Sequence, residues 1–376
     1  MTPGAPVPPP APAPEAVTFP LSWMLENAIS PLQYRASTDI ARLGSLPSSF
    51  SLLCYCYPPA LTLAFRQNLD GVWGGSMLSI PSARGGGSAE HFDGVGTVSA
   101  VRRLLEYGWD RESPPLVRAR RILFRLLAED DDPSFVFEMA GKGAADAATV
   151  HHARGILREA AAAALAQAGY EADPRLRGAA RRIVERVDAY LRSPAAEKPF
   201  VRVGNQHVLA PAAAPPSIYM LAMLAYMPNF RSEHYDIMER LYAHLIQPVP
   251  RAVPAVQVGK RIVEEPHLVM GDPLPHRNAA DADVPGALFW LETLARLGLL
   301  RRNENWSKLF DRFLDDRDDM GVWRVPKRTV SMRSANPFVW SAFPLDPRAG
   351  VDGLAAEVTF RIGLIARYLG RPIDLI

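Results

Sequence analysis

The densest run of side chains able to act on a ligand is His276-Arg277-Asn278, followed by Asp281 and Asp283. An imidazole, a guanidinium and two carboxylates this close can form an acid/base pair or an anion clamp, or can simply order the loop before a helix. The loop is the preferred reading, because aspartate at a helix start is commonly a cap. His151 and His152 are adjacent, which on a helix turns their rings about 100° apart. They cannot chelate one ion together, so one is expected to face a cavity and the other to pack. Cys54 and Cys56 are the only cysteines. They are too close for an unstrained bridge and too few for a cysteine metal site, and both are read as buried structural thiols. No glycine-rich phosphate loop, serine nucleophile elbow or HExxH pair occurs, so no cofactor and no metal is expected.

Composition narrows the setting. The 376 residues are 48% hydrophobic, enough for a substantial core, and the formal net charge of +2 argues against a dedicated nucleic-acid binder. Only five of the basic residues are lysine, and Arg118, Arg121 and Arg125 fall at helical spacing as a solvated face. The absence of a disulfide framework favours a reducing compartment. Residues 1–20 carry eight prolines and read as a disordered or polyproline-like tail without the features of a secretory signal. The longest apolar segment, 218–227, is too short to span a bilayer and suits a buried helix. A cytoplasmic protein without a transmembrane segment is expected.

Helical periodicity dominates from residue 21 onward, and convincing alternating strands are scarce. An apolar helix repeatedly ends at a small or helix-terminating residue and a polar turn follows, at Gly44, Gly108, Gly169, Pro228, Gly298 and Gly370. The intervals are 64, 61, 59, 70 and 72 residues. A second helix follows several turns, most clearly at 115–128, 174–191, 233–247 and 304–314. A lone hairpin cannot bury its apolar face, so neighbours must stack. Six such units can close into a two-layered α/α barrel with the helices before each turn inside; an open superhelix is the alternative.

The corners Gln67-Asn-Leu-Asp70-Gly71-Val-Trp73-Gly74 and Asp318-Asp319-Met-Gly321-Val-Trp323-Arg324 share a polar-Gly-x-Trp core. Glycine permits the tight turn, and tryptophan can then pack between helices. Asp70, Gly71 and Trp73, with Asp319, Gly321 and Trp323, are therefore read as structural corner residues. This core resembles the repeat of the squalene cyclase and protein prenyltransferase superfamily. SWMLENAISPLQYRASTDIARL and VTFRIGLIARYLGRP resemble the opening and closing helices of bacterial members. The resemblance covers residues 20–376 and implies an all-α fold, an α/α toroid of about six helical hairpin repeats over residues 21–376. Its cyclases start reaction from a DxDD acid, and Asp316-Arg-Asp318-Asp319 matches formally. That run leads straight into the Gly321 corner, where a charged loop is the plainer reading. A prenyltransferase-like zinc site needs a cysteine on the later repeats, and both cysteines lie in the first.

In a ring of hairpins, the N-terminal ends of the inner helices converge on one mouth with their exposed amides and positive dipole ends. Residues at those ends are His91, Asp93, His151, His152, Tyr219, His276, Arg277, Asp281, Asp283 and Asp352, and they form the expected pocket, although Asp93, Asp283 and Asp352 are equally natural caps. Three functions follow. The resemblance and the apolar inner helices suggest binding or processing of an isoprenoid-type or other apolar small molecule. The scaffold also suits a non-catalytic interaction module with a protein partner, and, less directly, carbohydrate lyase or hydrolase chemistry. Whether the chain is an enzyme stays open at this level, since a fold alone does not select a reaction.

Overall fold

A helix closes cleanly where a glycine adopts the left-handed conformation and returns two amides to the last turn. This chain does so at Gly108, Gly169, Gly298 and Gly370, with φ of +85°, +80°, +76° and +62°. Each time, the glycine N–H donates three residues back and the following N–H donates five residues back. The first closure pairs Gly108 with Leu105 at 3.0 Å and Trp109 with Leu104 at 3.1 Å. Gly298 with Ala295 and Leu299 with Leu294 repeat it at 3.0 and 2.9 Å. The other two expected turns are built differently. Gly44 is not left-handed; the helix before it ends in a π turn at Ala36–Ile40, and Arg42 takes φ +52° instead. Pro228 opens a new short helix rather than closing one.

The computed structural model describes residues 15–44, 46–74, 77–81, 92–128, 146–276, 278–324, 331–332, 334, 344–345 and 351–376, without the side chains of 48, 351 and 352. Among the described residues the fold is mainly helical. In chain order the elements are β1 (Val17–Phe19), α1 (Leu21–Asn27), α2 (Ser30–Arg35), α3 (Leu52–Tyr55), α4 (Pro58–Phe65), α5 (Thr97–Glu106), α6 (Pro114–Leu126), α7 (Ala147–Gln167) and α8 (Pro174–Leu191). Then come β2 (Phe200–Val203), β3 (Gln206–Leu209), α9 (Ile218–Ala225), α10 (Pro228–Glu233), α11 (Tyr235–Leu245), β4 (Ala255–Val258) and β5 (Arg261–Glu264). The chain ends with α12 (Ala279–Ala282), α13 (Val284–Arg296), α14 (Glu304–Asp315), α15 (Val351–Tyr368) and β6 (Ile373–Leu375). Strands thus qualify an all-α expectation: β2 with β3 and β4 with β5 form antiparallel hairpins, and β1 pairs with β6 in parallel.

The helices fall into two kinds. Those before the turns are buried almost all round: every residue of α9 is buried, as is the run 159–166 of α7. Those after the turns bury one face. Helix α8 buries Leu176, Ala179, Ala180, Ile183, Val184 and Val187, and α14 buries Trp306, Leu309, Phe310 and Phe313, the spacing of a single apolar stripe. Each large side chain so buried contributes about 1.5–3 kcal/mol by leaving water. Helix α5 packs on α7, α7 on α9, α9 on α13, α13 on α15, and α15 on α2 and the π turn behind it. Arg35 at the end of α2 then donates to the Glu106 carbonyl of α5 at 3.1 Å.

The two corners 250 positions apart are the same structure. Asn68 N–H donates to Val72 and Gly71 N–H to Asn68, at 2.8 and 3.0 Å; Asp318 to Val322 and Gly321 to Asp318 match them at 2.9 and 2.8 Å. Trp73 and Trp323 are both buried, and each backbone N–H donates at 3.0 Å to a threonine hydroxyl on the following inner helix, Thr97 and Thr359. Asp70 accepts from the Val72 amide, whereas in the second corner the acid that accepts from the turn amides is Asp318, one residue before the expected Asp319.

Three further expectations change. Ordered structure begins within the expected proline-rich tail, because Val17–Phe19 pairs with Ile373–Leu375 and Phe19 is 1% exposed; residues 1–14 lie outside the described residues. Cys56 is exposed rather than buried, while Cys54 is buried and its thiol is pushed up to about 12 by that burial. The helix expected over 233–247 is divided, with His234 separating α10 from α11. Arg118, Arg121 and Arg125 are exposed.

Two stability tests follow from the turns and corners. An added Cβ at Gly108 meets Cys54 Sγ at 2.8 Å, whereas at Gly298 it meets nothing within 4 Å. Gly298→Ala is expected to cost about 1–2 kcal/mol of left-handed strain and Gly108→Ala at least about 1 kcal/mol more, through overpacking. Thr97→Val and Thr359→Val each leave a buried amide without its acceptor and are expected to cost about 1–3 kcal/mol alike. Urea denaturation of the four variants measures both.

Candidate functional site

Ion pairs sit where the apolar inner helices face one another. On α5, Arg103 Nη1 lies 2.8 Å from Glu106 Oε2. On α13, Glu292 accepts from Arg296 Nε at 3.0 Å and from Arg361 Nη1 of α15 at 3.2 Å. Arg361 also donates to Glu357 at 2.8 Å, and Arg35 to Asp39 at 2.9 Å. The Arg296 guanidinium lies between two aromatic faces, 4.4 Å from the Tyr226 ring centroid and 4.2 Å from that of Tyr368.

Charges this far from water keep their ionisation only through one another. Burial pushes the Glu106 and Glu292 carboxyls up, but the surrounding guanidinium groups outweigh it and hold both below the usual range; Arg103 and Arg361 act on the first, Arg296 and Arg361 on the second. Glu357 goes the other way, since burial outweighs Arg361 and raises its carboxyl. Burial also raises the phenols of Tyr226 and Tyr368, the latter to about 12, which keeps both neutral.

Two cavities flank this ionic layer. The first, about 490 Å³, has walls that include Leu78, Ile80, Val98, Ile156, Ala222 and Phe289, with Tyr219 and His267 also lining it. The second, about 540 Å³, lies toward the C-terminal ends of the inner helices, where Tyr34, Asp39, Trp109 and Asp110 line it. Glu106, Tyr226, Glu292, Arg296 and Arg361 line both. Arg102 and Arg103 also line the first cavity, so four guanidinium groups there face two carboxylates. An apolar wall over a cationic floor accommodates an amphipathic anion better than a pure hydrocarbon, because a hydrocarbon strips water from the charges and replaces it with nothing.

A second buried polar cluster adjoins the first cavity. Glu265, 2% exposed, lies between two imidazoles, with His152 Nε2 at 2.7 Å and His267 Nδ1 at 3.3 Å. Beside it, the buried Glu159 of α7 is engaged by Arg186 and by the Ser217 hydroxyl, which also caps α9 by accepting from Met220 N–H at 3.0 Å. Burial lowers the His267 imidazole despite the nearby Glu265 and Glu159.

Among the described residues, the helix-end candidates do not converge on one mouth. Tyr219 lines the first cavity, and His152 reaches its edge through Glu265. His151 is exposed, and Asp93 pairs at the surface with Arg66 at 2.5 Å. Asp281 is paired with Arg312 at 2.6 Å. Asp283 caps α13 by accepting from Gly286 N–H at 2.7 Å and from the Ser334 hydroxyl at 2.5 Å. His276 and Asp283 border a separate depression near Pro273 and Pro275. His91, Arg277 and the Asp352 side chain lie outside the described residues. The capping aspartate is thus consumed by the amides it was expected to share with a ligand.

Glu292, Arg296, Glu357, Arg361, Glu265 and His267 are absent from the helix-end reading. A signal for four of them exists: Glu292 with Arg296 and Glu357 with Arg361 are opposite charges four apart inside otherwise apolar helices, a pattern that calls for a buried pair. Asp318 of the formal DxDD match is a turn ligand. Burial raises its carboxyl, but Arg324 and the Val322 and Met320 amides outweigh it and hold it below the usual range. That is the opposite of an acid kept protonated. Among the described residues no group of three or more His, Cys, Asp or Glu is placed to hold a metal ion, and no helix is long and apolar enough to cross a membrane.

No protein-family model, no curated protein and no solved structure matches this chain. The resemblance to squalene cyclases and prenyltransferases accordingly rests on the motifs alone.

Glu292→Gln removes a counter-charge shared by two buried guanidinium groups and is expected to cost about 3–5 kcal/mol at pH 7. Because the folded Glu292 carboxyl is held below its ordinary value of 4.5, its stabilisation is present above that value and is lost as the pH falls through the lowered one. Urea titrations should therefore show the gap between wild type and variant shrinking from pH 7 toward pH 3.

Proposed function

We propose that the inner helices close into an α/α toroid of about six hairpins and that the first cavity binds an amphipathic, isoprenoid-type ligand. Support for the toroid comes from the unbroken succession of inner-helix contacts from α5 to α15 and on to α2, from the parallel pairing of β1 with β6, and from the matched Trp73 and Trp323 corners. The observation that carries the ligand reading is the first cavity itself: about 490 Å³, apolar on its walls and rich in arginine on its floor. The ligand's apolar body lies against Leu78, Val98, Ile156 and Phe289, and a polar or anionic end meets Arg102, Arg103 and Arg296. Binding, rather than proton-initiated cyclisation, is the better-supported role, because Asp318 is committed to its turn and, among the described residues, Tyr219, Tyr226 and Phe289 are the phenyl and phenol rings lining the cavity.

Carbohydrate hydrolysis has less support. It calls for one carboxyl held protonated beside an ionised one, and both carboxyls lining the first cavity, Glu106 and Glu292, are kept ionised. A non-catalytic interaction module is the second reading, favoured by the two adjacent hairpins β2–β3 and β4–β5, which leave Val201, Ile262 and Val263 exposed.

Incubation with radiolabelled farnesyl diphosphate, farnesol and squalene, followed by gel filtration and extraction, tests the proposal. The diphosphate is expected to be retained, farnesol more weakly and squalene not at all. Ala222→Trp, which fills the cavity, should cut retention at least tenfold. No retention of any of the three, or retention unchanged by the filling substitution, would remove the ligand reading.

A further inference from the structure

We propose that His267 is the acid–base group of the first cavity, an imidazole that accepts a proton from a hydroxyl-bearing ligand and is oriented by Glu265. The proposal uses the same cavity as the ligand reading and rests on that cavity admitting small molecules, but not on the ligand being an isoprenoid.

The geometry has three parts. The first is placement. His267 follows β5 on a segment laid antiparallel against the start of α9, where Ile218 N–H donates to the His267 carbonyl and Val269 N–H to the Pro216 carbonyl, both at 2.8 Å. A backbone pinned on both sides holds the ring where it lines the cavity, 5.9 Å from the Tyr219 ring. The second is orientation. Glu265 is almost wholly buried, and its two oxygens serve two imidazoles: Oε1 meets His152 Nε2, and Oε2 lies 3.3 Å from His267 Nδ1. The Glu265 carboxyl group lies at ion-pair distance from Nδ1, which favours the tautomer with its proton there and leaves the Nε2 lone pair as the basic site. A contact of 3.3 Å without ligand is of the kind that tightens when the ring becomes charged. The third is protonation state. The charged groups acting on the ring are Glu265 and Glu159, which favour imidazolium, and His152 and Arg186, which oppose it; burial exceeds them and keeps the ring neutral.

The step is a single proton transfer. The ligand O–H bond breaks, its electron pair stays on oxygen, and the proton joins Nε2 of His267. The resulting imidazolium is balanced by Glu265, and the developing oxyanion lies in a cavity whose floor carries Arg102, Arg103 and Arg296. His152, with 29% of its side chain exposed, holds the far oxygen of Glu265 and is a positioning residue that does not touch the ligand.

Carbethoxylation by diethyl pyrocarbonate, which attacks only the unprotonated imidazole nitrogen, tests this on the full chain, with each histidine followed by peptide mass spectrometry. An ordinary imidazole such as N-acetylhistidine loses about tenfold in rate from pH 7.5 to 5.5. His267, whose imidazole burial lowers, is expected to lose less than that. Ala222→Trp should slow His267 at least tenfold without changing His151, and Glu265→Gln should slow it at least fivefold. Glu264→Gln, at an exposed carboxylate next to Glu265 that takes no part in the cluster, should leave the His267 rate within about twofold, separating loss of orientation from general loosening. An inert His267, a rate that follows N-acetylhistidine, or no response to Glu265→Gln overturns the assignment. A reactive, Glu265-dependent His267 in a protein that retains no farnesyl compound would uphold it while ending the isoprenoid reading.

Discussion

A guanidinium group taken out of water needs both a counter-charge and hydrogen-bond acceptors, and here several inner elements each bring one to the same place. Glu292 is the shared partner: it accepts from Arg296 on its own helix and from Arg361 on α15, so one carboxylate joins two helices whose other contacts are apolar. Arg361 extends the chain of charges to Glu357, and Arg35 ties the start of the fold to the end of α5. Apolar faces can slide against each other at little cost, but a buried ion pair is strongly penalised when one partner is withdrawn. The ionic layer therefore sets the register among helices that packing alone would leave loosely specified. It also divides the space between them into two cavities instead of one.

The periphery repeats a few devices that keep the layer in register. Four glycine closures end inner helices with the same pair of hydrogen bonds, so α6, α8 and α14 follow equivalent corners. The tryptophan corners go further. Trp73 and Trp323 lie far apart in the chain, yet both anchor their backbone amide on a threonine of the next inner helix. Burying the indole fixes the corner and the threonine bond fixes the helix against it, so α5 and α15 are held at their corners by these bonds and along their length by the buried charges.

Cavity chemistry follows from this arrangement. Walls come from the apolar residues that any inner helix must carry, and the floor comes from the charges that hold the helices together. The same arginines that stabilise the fold thus line the first cavity, and they are the reason for proposing there a ligand with an apolar body and an anionic end. Beside the cavity, Glu265 serves His152 and the cavity-lining His267 at once. That is an unusual commitment for a buried carboxylate if packing were its only purpose, since an apolar side chain would fill the space without desolvating a charge.

Local rules made much of the scaffold legible in advance. The helix at 174–191 coincides with α8, the apolar segment at 218–227 contains the wholly buried α9, and the closures at Gly108, Gly169, Gly298 and Gly370 are left-handed as their sequence context requires. Each of these depends on residues within one turn of each other, where propensity, capping and steric freedom act without reference to the rest of the chain. The same local rules put polar residues at the helix starts, where an aspartate suited to meet a ligand is equally suited to the amides beside it, and Asp283 is taken by such an amide. The union of Glu292 with Arg361, of Glu265 with His152 and His267, and of Val17–Phe19 with the last strand joins positions 69, 113 and some 350 residues apart, or a histidine two residues away that only a particular loop path turns inward. No periodicity encodes such meetings. They arise when packing brings distant helices together, so the sequence alone determined most of the helices and four of their turns, and only the tertiary structure decided which charges would face each other.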